Sequence, residues 1–355
     1  MSELATAVFA ASRDAHVLDG SRSARFASFR HSFDEAAYLR DLQARGYRWC
    51  ARSDPAFPVR LRAIHDPPVG LFVRGDGTLG LLGRPSVAIV GARACSAYGT
   101  SVAASLAREV AAAGVVVISG LARGVDGAAH RGAIEGGTTV AVLGCGIDRD
   151  YPRVHASLAA AITQRGLIVS EYAPGVEPAP WRFPARNRIV AGLALATVVV
   201  EARERSGALI TADLALDEGR DVLAVPGEIS SLLSRGTNQL LRLGSVPVTC
   251  AADVLEAIGI DAAPTDPRPL ALDPRLEPVH TAVAAAAATA NEIAQATGLS
   301  AGAVAAALGE LELLGLVEEL EGVYRVALRP RGSRGPASAP PGEATTDGAA
   351  TVPRP

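Results

Sequence analysis

Between residues 85 and 225 short, uninterrupted apolar runs alternate with segments of helical spacing, and this alternation constrains the fold most. The runs are Val87–Val90, Val115–Ile118, Thr139–Leu143, Leu167–Val169, Thr197–Val200 and Asp221–Val225. Helical spacing is expected over Ala97–Ala113, which Gly114 closes, and over Gly127–Ile134, Val154–Gln164, Asn187–Ala194 and Ala208–Glu218. A strand half-exposed to water alternates apolar and polar residues, whereas a strand covered on both faces is apolar throughout. The pattern therefore predicts an α/β fold: a Rossmann-like, doubly wound parallel sheet with helices on both faces. Such sheets take ligands beyond the carboxyl ends of their strands, so chemistry is expected in the loops that follow each run.

The flanks read differently. Residues 1–83 are expected to be partly helical, best over Phe33–Gly46, with the proline-rich stretch Asp54–Pro68 leading into the sheet domain at 84–260. Residues 261–276 hold four prolines in sixteen positions and read as an extended linker. Over 277–330, Thr289 and Glu292 form a capping box, and Ser300 can cap a helix over Ala301–Leu314 that Gly315 ends. Leu316–Leu320 and Val323–Leu328 then read as a hairpin around Glu321-Gly322, giving the element order of a winged helix. The tail 331–355 has only Ala and Val as apolar residues and is expected to be disordered.

Composition removes several chemistries. Lys and Arg total 34, and every one is arginine. A chain without lysine has no Schiff-base amine and no P-loop lysine. The 4 cysteines, at 50, 95, 145 and 250, form no CxxC pair, which argues against a cysteine zinc site or a disulfide framework and suits a reducing cytoplasm. No metal and no cofactor is expected. No apolar run reaches the ~18 residues of a membrane span, and no signal pattern opens the chain. Net charge is -3 overall, zero across 84–260 and -5 across 277–330.

Three loops carry candidate anion contacts. After the first strand, GARACSAYG offers Gly91 for close backbone approach, with Arg93 and Ser96 as donors at a helix N-terminus. It is not GxGxxG, so no dinucleotide is indicated; a tight turn with a solvated arginine accounts for it equally well. After the second, SGLARGVDGAAH makes a further glycine-rich turn with Arg123. There Asp126 is expected to cap the next helix, and His130 is placed to pair with it. After the third, GCGIDRDYP sets Cys145 between glycines, where a small packed residue is favoured over a nucleophile because nothing local depresses the thiol pKa. Glu201, at the end of the fifth strand, is better read as bonded to loop N–H groups or an arginine than as a general base, since no second acid accompanies it.

The segment WRFPARNR, Trp181–Arg188, is the most informative. Arg182, Arg186 and Arg188 are interleaved with two aromatic rings, and Asn187 can both donate and accept toward a base edge. Single-stranded nucleic acid is held this way, with arginines on phosphates and rings such as Phe183 on bases for ~1–3 kcal/mol each. The competing explanation puts both rings in the core and pairs the arginines with Glu201 or Glu204.

Together GARACSAYG, SGLARGVD, FPARNRIVAGLA, VEARERSGALITA, GRDVLAVPG and SRGTNQLLRLG resemble, in order, the DprA/Smf family of DNA-processing proteins. The upstream AFPVRLRAIHDPPVGLFVRG and the winged-helix region are similar to that family as well. The resemblance implies a dimeric, non-enzymatic protein that binds incoming single-stranded DNA and loads the RecA recombinase onto it in natural transformation. It maps DNA contacts onto Arg93, Ser96, Phe183, Arg186, Asn187 and Arg188. The family's lysines ahead of FPxRNR are absent here, and Arg182 is the nearest substitute.

Two other classes compete. A nucleotide phosphoribohydrolase of the lysine-decarboxylase-like Rossmann group would carry PGGxGT, whereas here Pro226-Gly227 runs into Glu228 and Ile229. A winged-helix transcription factor would need a basic recognition helix, whereas Ala301–Leu314 has no basic residue and carries Glu310 and Glu312. That domain therefore reads as a protein-interaction or regulatory module.

Overall fold

The computed structural model describes residues 2–11, 22–261, 272–286, 288–320 and 322–327. They belong to two compact units, 1–268 and 269–355. Of the linker expected at 261–276, residues 262–271 lie outside the described residues, as does the whole tail expected at 331–355.

The first unit opens with helices α1 (Glu3–Ala11), α2 (Arg22–Ser32) and α3 (Glu35–Ala44), then strand β1 (Tyr47–Ala51), the short α4 (Val59–Arg62) and β2 (Gly70–Arg74). The alternating part follows: β3 (Ser86–Val90), α5 (Ala97–Ala112), β4 (Val116–Ser119), α6 (Val125–Gly136), β5 (Thr139–Val142), α7 (Ala156–Arg165) and β6 (Leu167–Ser170). Then come α8 (Arg182–Leu193), β7 (Ala196–Val199), α9 (Gly207–Asp217), β8 (Asp221–Ala224), α10 (Arg235–Arg242), β9 (Val246–Pro247) and α11 (Ala251–Ala257).

The sheet order is β1-β2-β6-β5-β4-β3-β7-β8-β9. From β6 to β9 every pairing is parallel, and β2 and β1 extend the β6 edge antiparallel. The expected doubly wound sheet is therefore present, with β1, β2 and β9 added at its edges. Those additions escaped the sequence reading because two are antiparallel edge strands flanked by turn residues such as Gly46, Pro67 and Pro68, and the third is two residues long. Along β3 the side chains divide as the pleat demands. Ala88 and Val90 pack with Ile189, Val190 and Ala212, and Val87 and Ile89 pack with Val102, Leu106 and Ala129. Each face is thus covered by helices, which is why the strands are apolar throughout. A third cluster joins Leu4 and Leu42 of the N-terminal helices to Phe72, Leu143 and Ile168. Among the described residues no helix is long and apolar enough to cross a membrane.

In the second unit, α12 (Glu277–Ala285), β10 (Ala288–Thr289), α13 (Ala290–Thr297) and α14 (Ala301–Leu313) precede the hairpin β11 (Val317–Leu320) and β12 (Val323–Val326). Thr289 and Glu292 make the expected capping box, Ser300 caps α14, and β10 joins the hairpin as a third strand. The winged helix thus has one more helix than its sequence signals suggest. The start of α12 lacks a capping side chain, and its signature is confined to Glu277 and Pro278 in the first turn.

Helices α5 and α6 lie close enough that a Cβ on Gly132 would meet the Ala104 carbonyl oxygen at 1.9 Å. One on Gly136 would meet the Arg108 oxygen at 2.0 Å. The obstacle is backbone, which cannot rotate away. Gly132→Ala is therefore expected to cost about 1–3 kcal/mol by forcing the helices apart, although alanine is the better helix former. A denaturant titration showing an unchanged or raised midpoint would contradict this packing.

Candidate nucleic-acid interface

The strand order reverses between β3 and β7: the chain winds outward one way through β4, β5 and β6, then returns to β7 and winds the other way. A crevice opens at such a switch point beyond the strand ends. The loops after β3, β4, β5 and β7 surround it, and α8 brings the arginine segment in from the long crossover. The loops interlock. Ala92 N–H donates to Glu201 O at 2.7 Å, and Val125 N–H to Ala92 O at 3.2 Å. A Cβ on Gly91 would meet Val125 Cγ2 at 2.6 Å, so no larger residue fits there. Gly124 has φ of 75°, and a Cβ there would meet the Ala92 oxygen at 2.2 Å, so it needs glycine twice over.

The two glycine-rich turns expected to receive phosphates already hold carboxylates of the protein, Glu201 at the N-terminus of α5 and Asp126 in the turn before α6. Ser96 caps α5 by accepting from Gly99 N–H at 3.0 Å. Its hydroxyl donates to Glu201 Oε1 at 2.5 Å, and its own N–H donates to Oε2 at 2.9 Å. Glu201 is buried. Ser96 is thus a positioning residue here, and Glu201 is bonded to loop donors. Among the described residues none of Arg182, Arg186 and Arg188 pairs with Glu201 or with Glu204, whose ion pair is with Arg235 at 3.7 Å.

Asp126 plays the same part in the next loop. It does not cap α6, whose N-cap is Gly124. Its carboxylate accepts from Gly120 N–H at 3.0 Å and Ala122 N–H at 3.4 Å, folding the glycine turn back on itself. Burial raises its pKa, opposed by the nearby Arg186 and by those two backbone bonds. Nor does His130 pair with it. The ring Nδ1 lies 2.7 Å from Thr139 Oγ1, and burial together with the charges of His155 and Arg186 pulls its pKa down to about 3.

The arginine segment is helical from its second residue, with Pro184 in the first turn, where its missing N–H costs nothing. Helical spacing sends its side chains to different places. Arg186 is buried, and its Nη1 donates to Gly120 O at 2.8 Å and to Val142 O at the ends of β4 and β5. Burial lowers its pKa, and the Asp126 charge opposes that. Arg188 makes two bonds to Glu171, at 2.8 and 2.7 Å, and a further ion pair with Asp66 at 2.9 Å. Arg182 lies over the Trp181 and Tyr172 rings and donates to the Glu177 carbonyl. Neither Arg182 nor Arg188 lines the crevice. Trp181 is exposed, so it is not the core residue of the competing reading.

Phe183 stands half-buried at the centre. Its ring stacks on Tyr151 with centroids 5.4 Å apart, and the Arg93 guanidinium lies 5.4 Å from its centre. On one side is a pocket of about 370 Å³ lined by Gly91, Arg93, Arg186, Asn187, Arg203 and Arg205. On the other is a groove of about 1190 Å³ that includes Arg93, Arg123 and Tyr151. Asn187 donates to Gly207 O at 3.2 Å, tying α8 to α9 across the pocket. The structure therefore gathers Gly91, Arg93, Arg123, Phe183, Arg186 and Asn187, with Ser96 supporting them from beneath. Sequence reasoning missed Arg203, Arg205, Tyr151 and Arg153. The signal lies in VEARERSG and GIDRDYPR, which also follow strands and carry these residues beside Glu201 and Cys145.

Cys145 is buried, as a packed turn residue should be, and burial raises its thiol pKa to about 11.

The model of a family described as DNA recombination-mediator protein A matches residues 48–259, and that of the DprA winged helix domain matches 261–323. A putative DNA processing protein DprA of Mycobacterium tuberculosis is 42% identical over 327 residues, covering 86% of this chain and 84% of the relative. The DNA processing protein DprA of Streptococcus pneumoniae is 46% identical over 207 residues, covering 57% and 71%. Its X-ray structure is similar with a TM-score of 0.61 and 40% identity, covering 68% of this chain and 83% of that one. DNA processing protein A of Helicobacter pylori, solved for its single-stranded DNA binding mode, gives a TM-score of 0.54 at 31% identity, covering 60% and 95%.

None of these relatives is named as an enzyme, and the thiol offers a direct check on chemistry at the crevice. A neutral alkylating reagent at pH 8 is expected to modify the exposed Cys250 while leaving Cys145 untouched in the folded protein. Peptide mapping that found Cys145 labelled first would mark it as an activated thiolate.

Proposed function

The chain belongs to the DprA family of DNA-processing proteins, and on that premise we propose that its Rossmann-like unit binds single-stranded DNA at the β3/β7 crevice. The observation that carries this is Phe183, a ring presented between a pocket and a groove with Arg93 beside it. Among the described residues Arg93, Arg123, Arg203 and Arg205 make no ion pair with a carboxylate, which leaves their charge for phosphates. Bases of a single strand are free to leave their neighbours and stack on a protein ring, which is the ligand a ring at this position suits.

The protein would act without catalysis, protecting incoming DNA and loading the RecA recombinase onto it during transformation, in the cytoplasm. The recombination-mediator description of the matched family supports that role. So does the engagement of Glu201, whose oxygens are both spent on Ser96. A homodimer is part of this reading: Ile210 and Leu243, both exposed, line one depression beside α10 together with polar residues such as Asp213 and Gln239, a mixed surface with exposed apolar side chains that a second copy can cover. Few arginines per protomer imply modest affinity, and pairing two sites raises it by avidity.

Two substitutions separate ring from charge. Phe183→Ala is expected to lose ~1–3 kcal/mol of oligonucleotide binding with an unchanged salt dependence. Because the ring is half-buried, its removal should cost well below the ~3–5 kcal/mol of a core phenylalanine. Arg93→Ala should weaken all sequences alike and reduce the salt slope by about 0.7 for each phosphate it no longer neutralises. Normal binding by both folded variants would remove the crevice as the site.

The acidic winged helix is expected to contribute little to DNA binding. Deleting residues 261–355 should leave single-strand affinity largely intact in a gel shift, and a large loss in a folded truncation would give that domain a part in holding DNA.

A further inference from the structure

The groove on the far side of Phe183 from the pocket is about three times its volume, yet the arginine segment alone gives it no role. Three acids line it: Asp148, Asp150 and Glu177. Each is already engaged. Asp150 pairs with Arg74, Glu177 pairs with Arg149 at 2.7 Å, and Asp148 accepts from Gly175 N–H at 2.8 Å with Arg45 at 3.9 Å. Against them stand Arg93, Arg123 and Arg153, exposed and, among the described residues, without a carboxylate partner. The groove is therefore electropositive although its composition is mixed.

Its aromatic wall is Tyr151. The residue is 42% exposed and lines the groove, while its ring stacks on Phe183 at an interplanar angle of 25°. An exposed ring braced by a second ring, beside unpaired guanidinium groups, is a stacking platform for a base with phosphate donors at hand. We propose that this groove seats the neighbouring nucleotide of the same DNA strand, with Tyr151 under its base and Arg153 and Arg123 at its phosphates. The inference rests on the single-strand reading above and extends it: the strand crosses Phe183 as a partition, so each protomer holds bases on both sides of that ring.

The test uses full-length protein and oligothymidylate carrying 5-iodouracil, which cross-links to stacked aromatic side chains on irradiation. The expected result is a cross-link at Tyr151, with Tyr151→Ala binding about tenfold more weakly at an unchanged salt slope. Tyr151→Phe, which keeps the ring, should restore affinity, and Arg153→Ala should lower the slope by about 0.7. Cross-links at Phe183 alone, with Tyr151→Ala binding normally, would overturn the groove and leave the pocket standing. Weakened binding by Tyr151→Ala without a cross-link at Tyr151 would also overturn it, because the ring would then serve only to brace Phe183. If Phe183→Ala, Tyr151→Ala and Arg153→Ala all bind as the native protein does, and no cross-link forms at either ring, the single-strand reading falls with it.

Discussion

One buried guanidinium, that of Arg186, fastens the helix bearing the candidate site to the ends of two central strands. Its bonds to the Gly120 and Val142 carbonyls satisfy backbone acceptors that the end of the sheet leaves open. Hydrogen bonds to a charged donor contribute roughly 1.5–3 kcal/mol each, and a buried charge without them would be costly. Phe183 lies one turn earlier on the same helix, and Arg188 ties the other side of that helix to Glu171 and Asp66. Two anchored arginines thus hold the ring in place. Rigidity of this kind reduces the conformational entropy the protein itself loses when the site is filled.

The same economy governs the glycine-rich turns. A helix N-terminus attracts anions, and at α5 Glu201 occupies that role from within, while Asp126 accepts from the N–H groups of the turn ahead of α6. Carboxylates so placed fix the loops and neutralise the positive helix ends. The positive charge left over then belongs to exposed side chains at the rim, chiefly Arg93, Arg123, Arg203 and Arg205. A net charge of zero over residues 84–260 is therefore compatible with a locally electropositive crevice, because the acids are spent on structure.

How much of this was legible in the sequence follows from the range of each signal. The parallel sheet was plain because burial on both faces leaves an unbroken apolar run, visible within five residues of β3. The caps Thr289 and Ser300 were legible because a side chain there bonds three residues onward. The fates of Arg182, Arg186 and Arg188 were not. They depend on partners such as Glu171 and Val142, which are distant in sequence, and on a helix that spreads neighbouring side chains around its axis. Asp126 misled for a related reason: its spacing suits a cap, yet its carboxylate turns back to Gly120.

The pairing of β3 with β7 brings Val87 beside Ala196, so the central ladder of the sheet joins residues far apart along the chain. Closing a loop of that span costs more chain entropy than closing the shorter crossovers between β3 and β6. The crevice lies on this seam, and its floor includes the bonds that Ser96 and Ala92 donate to Glu201. The crevice is therefore complete only where that long-range pairing is made, and the short crossovers alone do not build it. Any ligand held there binds the completed sheet alone and draws the folding equilibrium toward it.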